Sequence, residues 1–388
     1  MTVEVVLAVL FVIYLIHALV RIIRSYVASN DKRTFLKSKK FRTALSIILI
    51  IVMPFMIIEY VPLSLGHAIS EWPKVLGFLF SGAISLLWIN YLRKLDIYEP
   101  EKWRYIIIIF IASCITIWAV FPISSFINNT GFVLNGEPIN DFLYCVFSIG
   151  MVEELVKLVP VLLFINNKKM FNEPYDYLFY ASVSALGFAF VENILYINSS
   201  ELYSVIGRLL MSSVAHMTFS STLLYGVLLA KNRVQSVPKP IIYTAFFLLA
   251  SLSHGFYNFW LINAWAIQYQ AITMLFFLIT IHIWFTMLNN ALNISTFYNR
   301  STPLQVDKLK AYLIYTLLIL FMSAVLVIHI IHGGDSARQF FWGNLFAFGY
   351  FFVYIIYSHN RFKIVRGYMA PIDATANFFI PPLKHIKS

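Results

Sequence analysis

Two adjacent glutamates followed by a lysine form the group in this 388-residue chain whose residue types and spacing best suit chemistry. Glu153 and Glu154 precede Lys157 by four and three residues, so on a helix the ammonium group can pair with either carboxylate. Neighbouring carboxylates in a medium of low dielectric constant cannot both ionise cheaply, which favours one acid beside one base, as general acid–base catalysis requires. The surrounding residues are apolar, and a charge within a membrane helix is a candidate functional group.

Further polar residues occur in the three apolar stretches that follow: Glu192, Asn193, Arg208, His216, His254 and Asn258. His254 and Asn258 are four residues apart and share one helix face, while Ser212, His216 and Ser220 form a polar stripe at the same spacing. A single buried ion pair can equally well lock two helices together. Several acids, bases and histidines in four consecutive stretches instead favour a functional site, provided that the four helices meet, which spacing does not decide.

The elements that must position these residues are transmembrane helices. The chain is 60% hydrophobic and 12% charged, which is too apolar for a soluble domain of this length. A helix crosses the hydrocarbon layer with about 20 apolar residues. Eleven stretches qualify: 3–24, 43–65, 72–92, 104–127, 142–165, 177–197, 202–230, 241–265, 269–293, 309–332 and 339–359. The sequence therefore predicts an all-α polytopic membrane protein of about eleven transmembrane helices.

The basic residues predict the orientation of these helices. Twenty-five of the 29 lysines and arginines fall in loops on one side, so the positive-inside rule predicts an N-terminus outside and a cytoplasmic C-terminus. The net charge of +11 is spread over these short loops, which argues against a nucleic-acid partner. In this orientation, the glutamates and both histidines lie in the middle-to-outer half of the membrane. The two cysteines, Cys114 and Cys145, cannot build a disulfide framework or a cysteine metal site.

These motifs together resemble the PrsW family of intramembrane proteases, which is related to the CAAX-type membrane endopeptidases. The matching motifs are E-E-x-x-K at 153–157, G-F-x-x-x-E-N at 187–193, Arg208 with His216, His254 with Asn258, and the loop segments Tyr98–Glu101 and Glu173–Asp176. The resemblance covers about residues 86–262. It implies a protease core over 86–265. Outside this core we expect transmembrane helices of unassigned role over 1–85, further transmembrane helices over 266–360 and a cytoplasmic tail over 361–388.

The resemblance implies hydrolysis of a peptide bond in a membrane-anchored protein, such as an anti-sigma factor or another single-pass protein, as a step in signalling. Glu153 or Glu154 would activate water, Lys157 would hold the second carboxylate ionised, and His216 and His254 would stabilise the oxyanion or relay a proton. Glu192 completes the expected catalytic set, and the residues expected to bind substrate are Asn193, Arg208 and Asn258. Some relatives carry an acid at the position of Asn258, where this chain has an amide that could orient a substrate carbonyl.

Metal dependence stays open at this stage. A glutamic-type mechanism without a cofactor is favoured, because the chain lacks the His-Glu-x-x-His signature of helical zinc sites. Zinc is the alternative, and Glu192, His216 and His254 would bind it, since two histidines and a carboxylate form a common catalytic metalloprotease set. The alternative function is an ion- or solute-coupled transporter with the buried residues as a relay. The expected location is the bacterial cytoplasmic membrane, with the lipid bilayer as a partner.

Overall fold

The computed structural model describes residues 3–29, 32–60, 72–199, 211–232, 236–269, 271–299, 301–358 and 362–372, and within these ranges it contains helices and no strands. The helices, in chain order, are α1 Val3–Val27, α2 Lys32–Lys37, α3 Lys39–Tyr60, α4 Trp72–Leu95, α5 Trp103–Thr116, α6 Val120–Asn129, α7 Pro138–Tyr144, α8 Met151–Phe164, α9 Pro174–Ser199, α10 Ser213–Asn232, α11 Lys239–Ile262, α12 Ala271–Asn293, α13 Val306–His332 and α14 Gly334–Ser358. The all-helical prediction is confirmed.

Eight helical segments of the described residues are long and apolar enough to cross a membrane: Phe41–Tyr60, Val75–Leu95, Trp103–Asn129, Pro174–Tyr196, Ser213–Asn232, Lys239–Ile262, Ala271–Asn293 and Val306–His332. They match eight of the eleven predicted stretches, so the chain is a multi-pass membrane protein. The other three stretches correspond to α1, to the helical run from α7 to α8, and to α14. The count of eleven and the orientation of the termini stay predictions.

The bundle is built around α9 and α10, which form its most extensive helix pair. Helix α9 also contacts α4, α5, α8 and α12, while α10 contacts α11 and α12. These two helices carry many hydroxyl and other polar groups, and lipid offers no hydrogen-bond partner to such groups. The most polar spans are therefore enclosed by the other helices, which expose apolar faces.

A helical segment with a wider turn, Cys145–Gly150, joins α7 to α8 immediately before the two glutamates. Helix α11 packs directly on this segment, backbone against backbone. A Cβ atom added to Gly150 would lie 2.4 Å from the carbonyl oxygen of Ser251, and one added to Gly255 would lie 2.5 Å from Cα of Val146. Glycine at both positions lets the helices approach this closely, as small residues do in membrane interfaces. This contact holds α8 and α11 at the distance where their polar side chains meet.

The two loop segments that carry part of the family resemblance, Tyr98–Glu101 and Glu173–Asp176, lie together at the end of the bundle where α4 ends and α9 begins. The hydroxyl of Tyr180 donates a hydrogen bond to the carboxylate of Glu101. The carboxylate of Asp176 accepts hydrogen bonds of 2.7 Å from the backbone N–H groups of Asn172 and Glu173. In the sequence these segments only add to the family resemblance, whereas in the structure they form one buried acidic cluster.

Two buried carboxyl groups at this end of the bundle, those of Asp96 and Glu173, lie outside the spans and have pKa values above the usual range. Burial, and next the nearby carboxyl of Glu173, raise the pKa of Asp96 to about 8. Burial raises the pKa of Glu173 to about 7, with the charges of Glu99 and Glu101 acting in the same direction. Both pKa values exceed those of exposed carboxyls, so the folded chain retains protons that the unfolded chain releases.

This difference predicts how stability depends on pH. The stabilising contribution of a group whose pKa rises on folding is complete below about pH 4 and is lost as the pH rises through about 8. We expect the melting temperature of the detergent-purified protein to fall between about pH 6 and pH 9, and Asp96→Asn to flatten that fall. Differential scanning fluorimetry across this range measures both, with the exposed Glu137→Gln as the control. An unchanged pH profile in Asp96→Asn would contradict the assignment.

Candidate active site

Four helices bring the predicted polar residues into one hydrogen-bonded cluster. Helix α8 supplies Glu153, Glu154 and Lys157, and it contacts α9, α10 and α11. These three helices supply Glu192, His216 and His254, respectively. The contacts among these residues join distant parts of the chain, so spacing along the sequence could not predict them. Glu153 lies eleven residues before the end of α8, which corresponds to about 16 Å of helix. The cluster is therefore well inside the bundle and removed from bulk water.

Lys157 is the centre of the cluster. Its Nζ atom lies 2.7 Å from Nδ1 of His216, 2.9 Å from Oε1 of Glu154 and 3.2 Å from Oε2 of Glu153. Its side chain is fully buried, and Nζ lies 4.3 Å from the ring centroid of Phe188. An ammonium group has three protons and no lone pair, so each proton serves one of these three partners. The lysine thus ties both glutamates and one histidine to a single point.

The two glutamates have different surroundings. Glu154 is completely buried, and its Oε1 lies 2.9 Å from Lys157 and 3.0 Å from Nδ1 of His254. Its second oxygen, Oε2, accepts a hydrogen bond of 2.7 Å from the hydroxyl of Ser220. Donors from three helices therefore surround this carboxylate, which leaves it no open face. Glu154 is held as a fixed anion.

The side chain of Glu153 is less enclosed than that of Glu154. Its side chain is 11% exposed, compared with 0% for Glu154. Oε2 lies 3.2 Å from Lys157 and 3.6 Å from Nε2 of His254, while Oε1 makes no hydrogen bond to any residue that the structure describes. Glu153 is consequently the carboxylate that can hold a water molecule.

The protons of the histidines follow from their partners. Because the ammonium of Lys157 can only donate, Nδ1 of His216 accepts and Nε2 carries the ring proton. That Nε2 group donates to Oε2 of Glu192 over 2.7 Å. His254 donates from Nδ1 to Glu154, which turns its Nε2 towards Glu153. The two rings meet edge to face with centroids 5.0 Å apart, and Phe219 stacks on His254.

The predicted substrate-binding residues lie at the edge of the cluster or outside the described chain. Asn193 is fully buried, and neither polar atom of its side chain has a partner among the described residues. Asn258 lies one turn after His254, is partly exposed, and makes no hydrogen bond to another described residue. Arg208 falls in 201–210, outside the residues that the structure describes. All three assignments stay predictions.

Ser220 contacts Glu154 in the site, although the sequence motifs did not identify it as a site residue. The signal was present, since Ser220 lies four residues after His216 in the polar stripe of α10. Ser184 had no such signal in the sequence. Its hydroxyl donates a hydrogen bond of 2.6 Å to the backbone carbonyl of Lys157 and so links α9 to α8, a contact that only the fold creates. Phe188 and Phe219 resemble ordinary core aromatics in the sequence, and only the fold sets them against charged groups.

One group of side chains can supply metal ligands. Donor atoms of Glu153, His216 and His254 all lie within 4.8 Å of one another, and two histidines with one carboxylate match a catalytic zinc set. The sequence analysis named Glu192 as the carboxylate, whereas Glu192 contacts His216 from the other side. In the observed arrangement both ring nitrogens of His216 are engaged. The donor types fit a metal ion, provided that His216 exchanges one of its two partners.

Comparison with known proteins gives consistent results. A family model described as PrsW family intramembrane metalloprotease matches residues 101–287, which include every residue of the cluster. The chain is 30% identical over 181 residues to Protease PrsW of Geobacillus kaustophilus, which covers 47% of this chain and 76% of that protein. It is 33% identical over 118 residues to Protease PrsW of Oceanobacillus iheyensis, which covers 30% of this chain and 54% of that protein. No solved structure matches significantly.

Lys157 should be essential for stability as well as for the site. Lys157→Met would leave two buried carboxylates without their cation, and breaking a buried ion pair in this way costs about 3–5 kcal/mol. We expect the denaturant concentration at the midpoint of unfolding to fall for this variant, as measured by denaturant titration in mixed detergent micelles. Lys169→Met removes an exposed lysine and should leave the midpoint unchanged. Equal midpoints for the two variants would show that the cluster does not depend on the ammonium.

Proposed function

The chain belongs to the PrsW protease family, and from this premise we propose that it is an intramembrane endopeptidase that hydrolyses a peptide bond of a membrane-anchored protein by water activated at Glu153. The family membership supports the reaction class. The buried cluster supports its location within the bundle, where the active site is shielded from bulk water. The substrate that we propose is a single-pass protein, of the anti-sigma-factor type or another.

The observation that carries the proposal is the inequivalence of the two glutamates. A general base must reach a water molecule and take its proton. Glu154 has donors on both oxygens and no exposed surface, so it does not act as the general base. Glu153 has a free oxygen among the described contacts and a partly exposed side chain. Glu153 is therefore the base, and Glu154 positions Lys157 and His254.

The remaining side chains have roles that follow from their protons. His254 points its Nε2 atom towards Glu153, so it shares the activated water and receives or returns a proton. Asn258 lies one turn later on the same face of α11, and its amide can donate to the oxyanion that forms on the substrate carbonyl. The proton that Glu153 takes from the water passes to the leaving amine, directly or through Nε2 of His254. The neutral His216 meanwhile holds Lys157 on one side and Glu192 on the other.

A metal-activated water is the second candidate, and the converging donors of Glu153, His216 and His254 favour it. These three residues would hold the ion. When bound, zinc would polarise the scissile carbonyl and lower the pKa of the attacking water. The residues of the chain would still orient the substrate and exclude bulk water in the same way.

The source of the relatives supports the membrane location. The named relatives come from bacteria, which supports the bacterial cytoplasmic membrane as the site of action. Both are proteases by name, and they give the transporter alternative no support. A protease of this type would act in signalling, by releasing the soluble part of its substrate.

Substitution of each glutamate tests the division of roles. The chain is co-expressed with tagged single-pass membrane proteins, and product is quantified at matched protein levels. Glu153→Gln should lower cleavage by about 10²–10⁴-fold, because it removes the general base. Glu154→Gln should lower it less, since the amide still accepts from Lys157 or Ser220. Glu137→Gln is the control. Wild-type cleavage by Glu153→Gln would refute the assignment.

Metal analysis of the purified protein separates the two mechanisms. If water is activated by Glu153 without a metal, strong chelators leave cleavage unchanged and elemental analysis finds far less than one equivalent of zinc. If zinc is the activator, chelation abolishes cleavage and zinc restores it. Glu153→Gln and His254→Ala would then each lower the bound zinc, whereas Glu137→Gln would not.

A further inference from the structure

A basic cavity lies at the end of the bundle where α3 and α13 begin, remote from the catalytic cluster in the chain. Its volume is about 490 Å³, and it is open to solvent on one side. Three lysines line it, Lys39 from α3 and Lys308 and Lys310 from the first turns of α13, together with the side chain of Gln305. Asp307 is the single acid among the lining residues that the structure describes, so this lining carries a net positive charge.

From the candidate spans of α3 and α13, the cavity is expected at the level where the hydrocarbon layer starts. The apolar segment of α3 begins at Phe41 and that of α13 at Val306, so both spans leave the cavity in the same direction and pack against each other. Lysines at this level occupy the head-group region of the bilayer. This end of the bundle is the predicted cytoplasmic side, whose leaflet carries the anionic lipids.

The lining is amphipathic in the manner of a lipid head group. Leu304, Val306 and Phe362 line the cavity beside the lysines. Helix α3 also exposes an apolar face, which begins six residues after Lys39 and includes Leu45, Ile48, Leu49 and Val52. A ligand with a phosphate group and attached acyl chains would place its anion among the lysines and its chains along α3. A soluble phosphate compound would use only the first half of this surface.

We propose that this cavity binds the head group of an anionic phospholipid, with the lysine ammonium groups on the phosphate and the acyl chains along the exposed face of α3. Compact ammonium groups are effective partners of phosphate as point charges. The site would fix α3 against α13 at the membrane surface. This assignment is independent of the proteolytic mechanism, because none of its residues belongs to the catalytic cluster.

Native mass spectrometry of the full chain in detergent tests the proposal. Phosphatidylglycerol and phosphatidylcholine with identical acyl chains are titrated against three proteins. They are the wild type, the cavity variant Lys39→Gln/Lys308→Gln/Lys310→Gln, and a control variant Lys102→Gln/Lys168→Gln/Lys169→Gln. The control removes the same charge from exposed loops of the same predicted side. Lys308→Gln alone is included in case the triple cavity variant folds poorly.

The proposal predicts that phosphatidylglycerol binds the wild type and the control variant alike and binds the cavity variant about 10–100-fold more weakly. Lys308→Gln should show an intermediate loss, and phosphatidylcholine should bind all the proteins weakly. Equal losses in the two triple variants would overturn the proposal in favour of diffuse surface attraction. Displacement of the lipid by millimolar glycerol phosphate or inorganic phosphate would also overturn it, since the site would then accept a soluble phosphate.

Discussion

A single buried ammonium group holds two carboxylates and an imidazole in the middle of this membrane protein. Transfer of these charges from water costs several kcal/mol for each ion, and the cost is offset only while the hydrogen bonds are complete. Lys157 completes them with contacts of 2.7–3.2 Å to His216, Glu154 and Glu153. The surrounding helices must then hold these partners in position, which is why α8 meets α10 and α11 through polar side chains within an otherwise apolar bundle.

The small residues and hydroxyl groups of the bundle follow from that requirement. Glycine at 150 and 255 allows α11 to contact the segment before α8 directly, and this brings His254 to Glu154. Ser220 occupies the last open oxygen of Glu154. The result is one glutamate that is fixed and one that is accessible, although the two are adjacent in the chain. Opposite roles for neighbouring residues arise from their partners, because the residue types are identical.

The sequence predicted the all-helical class, the eight spans that the described residues contain, and the polar residues that meet at the site. Spacing predicted the contacts within α8, because residues three and four apart share a helix face. Contacts between helices could not be derived in this way. Spacing therefore did not distinguish Glu153 from Glu154 and did not place Ser220 beside Glu154, and the expectation that Glu192 would bind a metal stays a prediction. Loops rich in acids also gave no sign that Asp96 and Glu173 would be buried together, since burial depends on α9 packing against α4.

A double-mutant cycle on Lys157 and Glu154 measures the central interaction most directly. The unfolding free energies of Lys157→Met, Glu154→Gln and the double variant are compared with that of the wild type in the same detergent. If the ammonium is the group that makes the buried carboxylates tolerable, the double variant loses much less stability than the sum of the two single variants, with a coupling energy of about 1–3 kcal/mol. Additive losses would mean that Lys157 and Glu154 stabilise the bundle independently, and would contradict this account.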